Sequence, residues 1–198
     1  MKIVLGSFLL FFLTACSTTY PAVTQYRIEA ENLQKSLSVN ACKKHSLKVA
    51  QAFVRSSLMS KKMKYVVGTY QEGTFNQSEW AEDLNRAITD AIVSSLRDAN
   101  LFETVTSYKS TSVAEYTLES SVSEFTQHFS EDEKSSFVKL DIAFMLVDNA
   151  SGKALATKRI VKEMSTKSAD AKGGVAALNS LLQKSLREMQ TWIVKSCQ

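Results

Sequence analysis

The chain contains few of the residues on which most metal and catalytic sites depend. Its 198 residues include only two histidines, His45 and His128, and three cysteines. Neither histidine lies in a cluster of Cys, Asp or Glu with the spacing of metal ligands. No nucleophile has a base close to it in the sequence. We therefore predict no metal site, no cofactor site and no catalytic residue, and so a protein that is not an enzyme.

One short pattern resembles a catalytic motif, because Ser136 and Lys139 match Ser-x-x-Lys. That motif needs a helix to bring the hydroxyl and the amine to the same face. These residues lie in a predicted strand, where positions three apart point to opposite faces. His128 ends the preceding strand beside a charged loop and is interpreted as a surface residue. Both observations argue against a periplasmic hydrolase, which is the enzyme hypothesis.

The chain also lacks a large excess of charge of either sign. Its 24 Lys and Arg against 20 Asp and Glu leave a net charge of +4. The basic residues are dispersed and are not interleaved with aromatics, as they would be in a nucleic-acid interface. We therefore predict no nucleic-acid partner. A chain of this length can bury one ordinary core, so a single domain is expected.

The longest apolar run, residues 3–13, is too short to span a bilayer. Its length is typical of the apolar region of a signal peptide. The run leads into Leu13, Thr14, Ala15 and Cys16, which together resemble the lipobox of bacterial lipoproteins. The alternative is an ordinary secretory signal in which a cysteine happens to follow Ala15.

The lipobox resemblance implies cleavage before Cys16 and attachment of acyl chains, including palmitate, to this residue. Ser17 stands where inner-membrane lipoproteins usually carry Asp, so the resemblance also implies the periplasmic face of the outer membrane. Residues 1–15 would be a cleaved signal peptide and residues 16–24 a lipidated N-terminus and tether, leaving residues 25–198 as one periplasmic domain.

The two remaining cysteines, Cys42 and Cys197, would lie in a compartment where disulfides form and persist. An even pair of this kind predicts a disulfide. The bridge would connect the last helix to the first strands. Two separate buried thiols are the alternative, since the sequence alone does not place the two residues close together.

Two segments show the apolar spacing of an amphipathic helix. In the first, residues 77–99, a buried stripe starts at Trp80, and Asn76 or Ser78 is the predicted cap. Asn100 suits the left-handed position that ends a helix. The second helix is predicted over residues 168–194.

Alternating apolar residues elsewhere predict strands, and those that begin near Tyr116 and Val138 are the most regular. Strands outnumber helices at least two to one. The predicted fold is α+β, a two-layer sandwich in which two long helices cover one face of a largely antiparallel or mixed sheet of about six strands.

The combination of the lipobox, the aromatic segment from Tyr70 to Trp80, the helix after it and the 148–152 turn resembles the ABC-type transport auxiliary lipoproteins, a group that includes paraquat-inducible protein C. This resemblance implies a non-enzymatic component of a lipid transport system. Its partner would be a protein of the mammalian cell entry (MCE) type that works with an inner-membrane ABC transporter.

The resemblance leaves two questions open. Phe75 and Trp80 are candidate partner-binding residues, because exposed aromatic residues often anchor interfaces. Trp80 could instead belong to the buried stripe of its helix. The alternative function is that of a structural lipoprotein that helps to assemble another outer-membrane complex.

Overall fold

The computed structural model describes residues 22–29 and 42–197. In these ranges nine strands form one mixed sheet, and two long helices pack on it. The strands are β1 (Thr24–Tyr26), β2 (Ser46–Val49), β3 (Phe53–Val54), β4 (Lys62–Val67), β5 (Gln71–Trp80), β6 (Thr104–Ser107), β7 (Tyr116–Phe129), β8 (Ser136–Asp148) and β9 (Lys153–Ser165). The helices are α1 (Leu84–Ala99) and α2 (Ala171–Ser196). The predicted α+β class is confirmed, with nine strands rather than about six.

The long strand β7 organises the sheet. On one side it pairs antiparallel with β8 along its whole length, and β8 pairs antiparallel with β9. On the other side β2, β3 and β4 pair with successive parts of β7, all in the parallel direction. Beyond these, β6 pairs with β2, while β5 and then β1 follow β4. Alternation over residues 47–53 predicts one strand, which the structure divides into β2 and β3, whereas the four residues of β6 carry too little alternation to predict a strand.

Both helices cover the same face of the sheet, as predicted. Residues of β8 that point to this face are fully or almost fully buried, among them Leu140, Ile142 and Phe144. They belong to one continuous core with the apolar stripes of α1 and α2. The opposite face of β7, β8 and β9 carries charged and polar side chains together with apolar ones such as Met145 and Val161, and we call it the open sheet face.

The two ends of the domain differ, and each takes its name from one residue. The Cys42 end contains the turn that begins at Cys42, the start of β7, the 149–152 turn and the C-terminus of α2. The Asp170 end contains the 68–70 turn, the 130–135 loop and the N-terminus of α2. Asp170 caps that helix, since its carboxylate accepts a 2.7 Å hydrogen bond from the Gly173 amide.

The first helix prediction is wrong at its start. The segment from Gln71 to Trp80 is strand β5, held between β4 and β1, and the helix begins at Leu84 with Asp83 at the cap position rather than Asn76 or Ser78. Backbone pairing on both sides of β5 outweighs the helical spacing that starts at Trp80. The end of the helix is as predicted, because Asn100 adopts a left-handed conformation with φ of 52°.

Candidate functional site

The structure joins Cys42 and Cys197 by a disulfide. Their Sγ atoms are 2.07 Å apart and their Cα atoms 5.5 Å apart, within the range of native bridges. Cys42 is only 1% exposed, and the bridge connects the turn before β2 to the residue that follows α2. Cys16, the predicted lipidation site, lies outside the described residues.

The two aromatic residues predicted as candidate partner contacts occupy different environments. Trp80 is 4% exposed and packs against Phe125, with ring centroids 5.7 Å apart. It is a core residue on β5 and offers almost no surface to a partner, so its burial contradicts the predicted role as an interface anchor. Phe75 is half-buried and contacts Tyr65 and Phe129 in an aromatic cluster. Part of its ring remains accessible at the surface of β5.

Ser136 and Lys139 lie on opposite faces of β8, as the strand geometry predicts. The Ser136 hydroxyl is buried and bonds the Gln127 amide, whereas the Lys139 ammonium lies 3.7 Å from Glu163. The two groups therefore do not converge on one reaction centre.

His128 is more enclosed than the predicted surface histidine. Its Nε2 lies 2.9 Å from the Glu124 carboxylate, and its ring stacks on Phe137 with centroids 5.0 Å apart. These contacts belong to the open sheet face, where Glu124, His128 and Phe137 lie on adjacent strands. The ring is therefore held by neighbours on both β7 and β8.

A charged pair on the open sheet face was not predicted from the sequence. Asp141 is 8% exposed and receives two hydrogen bonds from the Arg159 guanidinium, to Oδ1 and Oδ2. These hydrogen bonds hold the pKa of Asp141 below its ordinary value. Alternation along β8 shows that Asp141 points away from the core, but only the β8–β9 register shows that Arg159 lies beside it.

Next to this pair is a shallow groove of about 550 Å³ on the same face. Phe53 of β3, Ala143 and Met145 of β8 and Thr157 of β9 line it. Phe53 is 64% exposed, which is high for an aromatic residue in a strand. The groove is therefore apolar at its floor and charged at its Arg159 edge.

Strand β9 forms one edge of the sheet, because it pairs only with β8 in the part of the chain that the structure describes. Two lysines on its helix-side face, Lys158 and Lys162, contact Glu188 of α2 at 2.9 and 2.8 Å. Their hydrogen bonds, led by that of Lys162, lower the pKa of Glu188. Inward-pointing charges of this kind discourage edge-to-edge aggregation.

Two apolar or aromatic side chains protrude almost completely into solvent, one towards each end. Tyr70 lies in the 68–70 turn at the Asp170 end and is 94% exposed. Val113 lies in the loop before β7 at the Cys42 end and is also 94% exposed. The backbone at Val113 is well positioned, since the Asn149 amide donates to the carbonyl of the adjacent Ala114 at 2.7 Å. Exposed loop residues on an ordered backbone are candidates for partner contacts.

Residues 22–29 and 42–197, which the structure describes, contain two α-helices. None of the helices there is both long and apolar enough to cross a membrane. The same residues contain no group of three or more His, Cys, Asp or Glu side chains arranged to hold a metal ion.

Two solved structures share this fold. Protein XCC0632 from Xanthomonas campestris has a TM-score of 0.72 at 14% identity, and the match covers 89% of this chain and 93% of that one. An uncharacterized protein has a TM-score of 0.67 at 16% identity, with 87% and 99% of the two chains covered. At these identities the likeness shows the fold alone.

No curated protein matches the chain. A family model, however, matches residues 26–190, which include both helices almost entirely and all strands from β2 to β9. Its description is "ABC-type transport auxiliary lipoprotein component". Because the match spans most of the sequence and nearly all of the folded domain, the chain belongs to the family of ABC-type transport auxiliary lipoproteins.

Proposed function

We propose that this protein is the outer-membrane lipoprotein component of an ABC-type lipid transport system, in which it docks an MCE-type protein. The family match over residues 26–190 is the observation that carries the proposal, because an auxiliary component of an ABC transporter works with a transporter partner. The lipobox that ends at Cys16 supports an anchored position for the domain.

The proposed anchor is a set of acyl chains on Cys16, exposed by removal of residues 1–15. Each buried methylene contributes about 0.8 kcal/mol, so several chains would hold the protein permanently in the membrane. Residues 16–24 would be the tether, and residues 25–198 a single domain on the periplasmic face of the outer membrane. Ser17 supports this destination through the lipoprotein resemblance.

The proposed role of the domain is binding rather than catalysis. A binding role is supported by the positions of Ser136 and Lys139 on opposite faces of β8. It is also supported by the contacts of His128, whose ring lies against Glu124 and Phe137. The features that remain accessible are a sheet edge, a shallow apolar groove and exposed loop residues. These features suit recognition of another protein surface.

The experiment compares three strains: one with the unaltered protein, one with Cys16→Ser, and one that keeps residues 1–24 but lacks the domain. We expect the Cys16→Ser protein to remain unprocessed and to leave the outer-membrane fraction. We expect the strain without the domain to lose co-fractionation of the MCE-type protein with the outer membrane and to show altered lipid balance. Unchanged fractionation and lipid balance in that strain would overturn the proposal and favour assembly of another complex.

A further inference from the structure

The length of the chain between the predicted anchor and β1 limits which end of the domain can face the membrane. Cys16 lies eight residues before Thr24, so the two are at most about 29 Å apart. The pairings of β1, β5, β4 and β7 place Thr24 level with Phe125 of β7. From there, Phe129 at the Asp170 end is four residues away, about 13 Å, whereas Tyr116 at the Cys42 end is nine residues away, about 30 Å.

This difference decides the orientation of the anchored domain. The 149–152 turn extends beyond the start of β7, so the outermost surface of the Cys42 end lies more than about 30 Å from Thr24. A fully extended tether does not reach a membrane placed against that surface. It does reach a membrane placed against the Asp170 end. The Asp170 end is therefore the end that the tether holds nearer the membrane, and the Cys42 end is the more distant one.

The two ends also differ in charge, and the more basic end is the one that lies farther from the membrane. The Cys42 end carries Lys43, Lys44, Lys153 and Lys195, and none of them forms an ion pair with a carboxylate among the described residues. Three carboxylates lie at or next to this end, and that of Glu103 is exposed. Those of Glu115 and Asp148 accept hydrogen bonds from the backbone amides of Ser46 and Ser151, respectively.

The Asp170 end is acidic by comparison. Its 130–135 loop carries three carboxylates in succession, at positions 131–133, and Asp170 adds a fourth. Lys134, Lys167 and Lys172 are the nearby cations, and Lys134 already lies 3.6 Å from Asp132. The membrane-distal end thus has four lysines against three carboxylates, whereas the Asp170 end has three lysines against four carboxylates.

We propose that the Cys42 end is the docking surface for the transport partner, and that the partner contacts it with an acidic surface that receives the Val113 side chain. The inference rests on the proposed function, because it requires lipid on Cys16. The opposite charges of the Cys42 end and the partner would speed their association. They would also make the binding specific, around the single apolar contact that Val113 provides. Val113 is the more exposed of the apolar side chains near this end, at 94% against 48% for Leu155, and it lies beside the 149–152 turn.

The test measures binding of the purified periplasmic portion of the MCE-type protein to the full lipidated protein in vesicles. We expect Lys43→Glu with Lys153→Glu to weaken binding at least about tenfold, and Val113→Asp to have a similar effect. The matched controls are Lys134→Glu with Lys167→Glu, and Tyr70→Asp, at the opposite end. These controls should change the Kd less than about twofold, and higher salt should weaken binding of the unaltered protein.

A second measurement tests the orientation without a partner. A fluorescent amino acid is placed at position 70 or at position 113, and the vesicles contain lipids with a quencher on the headgroup. We expect quenching at position 70 and little at position 113. Quenching at position 113 instead would overturn the orientation.

The binding outcomes separate the two proposals. If the unaltered protein binds but the Asp170-end variants weaken binding, or no variant does, the docking surface is wrong and the proposed function stands. If the unaltered protein does not bind at all, the proposed function is overturned, and the docking surface with it. Equal thermal melting of all variants would show that loss of folding is not the cause of any difference.

Discussion

Removal of the disulfide between Cys42 and Cys197 should cause a large loss of stability. The bridged residues are 155 positions apart, so the bridge closes a loop that contains almost the whole folded domain. In the chain-entropy model a loop of this length is worth about 5 kcal/mol at 25 °C, and measured bridges usually contribute about 2 to 4 kcal/mol. For a domain of this size that loss corresponds to a decrease in Tm of about 5 to 15 °C.

The structure also indicates which part of the domain should lose stability first when the disulfide is removed. The bridge ties the last turn of α2 to the turn that begins at Cys42, and the Sγ of Cys42 lies 3.9 Å from the carbonyl oxygen of Ile193. Without it, no covalent link holds this turn to the helix end. Hydrogen exchange of amides in the last two turns of α2 should therefore increase more than exchange in β8.

The assay is urea unfolding of residues 17–198, exported with a signal peptide that has no lipobox, so that Cys42 and Cys197 are its only cysteines. The double variant Cys42→Ala with Cys197→Ala should unfold at lower urea than the parent. Reductant should bring the parent to the stability of the variant and leave the variant unchanged. If reductant does not change the parent, or if the non-reduced parent shows two alkylatable thiols by mass spectrometry, the reasoning is refuted.

Three further predictions concern contacts within the domain. Arg159→Ala should lower the free energy of unfolding in urea titrations, because the Asp141 carboxylate would lose the two hydrogen bonds that Arg159 donates. The pKa values of Asp141 and Glu188 are lowered in the folded state. These two groups therefore add to the free energy of unfolding at pH values above their pKa in the unfolded chain, about 4. This contribution should be lost as the pH falls through the pKa values of the two groups in the folded protein. Asp141→Asn should therefore make the free energy of unfolding depend less on pH in this range. Gly174→Ala should destabilise the domain by about 1 to 3 kcal/mol, because the added Cβ would collide with the buried Gln127 amide, which two hydrogen bonds hold in place. If the substitution destabilises a Gln127→Ala protein by a similar amount, this explanation is contradicted.

The strand β5 shows why part of the fold could not be read from the sequence. Its last residue, Trp80, begins an apolar spacing that continues into α1, and this spacing with Asn76 or Ser78 as a cap predicts a helix from residue 77. The segment is instead a strand because its backbone groups bond β4 on one side and β1 on the other. A local pattern does not contain the positions of those neighbours, which come from distant parts of the chain.

The same reason explains the prediction for Trp80 and the missed pair on the open sheet face. An aromatic residue near a helix start could be core or interface, and the packing of Phe125 against Trp80 decides for the core. Asp141 and Arg159 are 18 positions apart and become neighbours only through the register of β8 and β9. Register depends on every pair along both strands, so a single residue type does not reveal it.

The sequence by itself determined the elements whose own pattern is long enough to be unambiguous. The periodicity of α2 and the alternation along β7, β8 and β9 each extend over 13 or more residues, so apolar burial favours one conformation for each of them. The lipobox and the family resemblance also depend on residue identity alone. The tertiary structure decided which strands became neighbours and which charged residues formed pairs. It also decided that Val113 and Thr24 lie at different levels along the sheet. These depend on contacts between distant segments, which form only when the whole core is assembled.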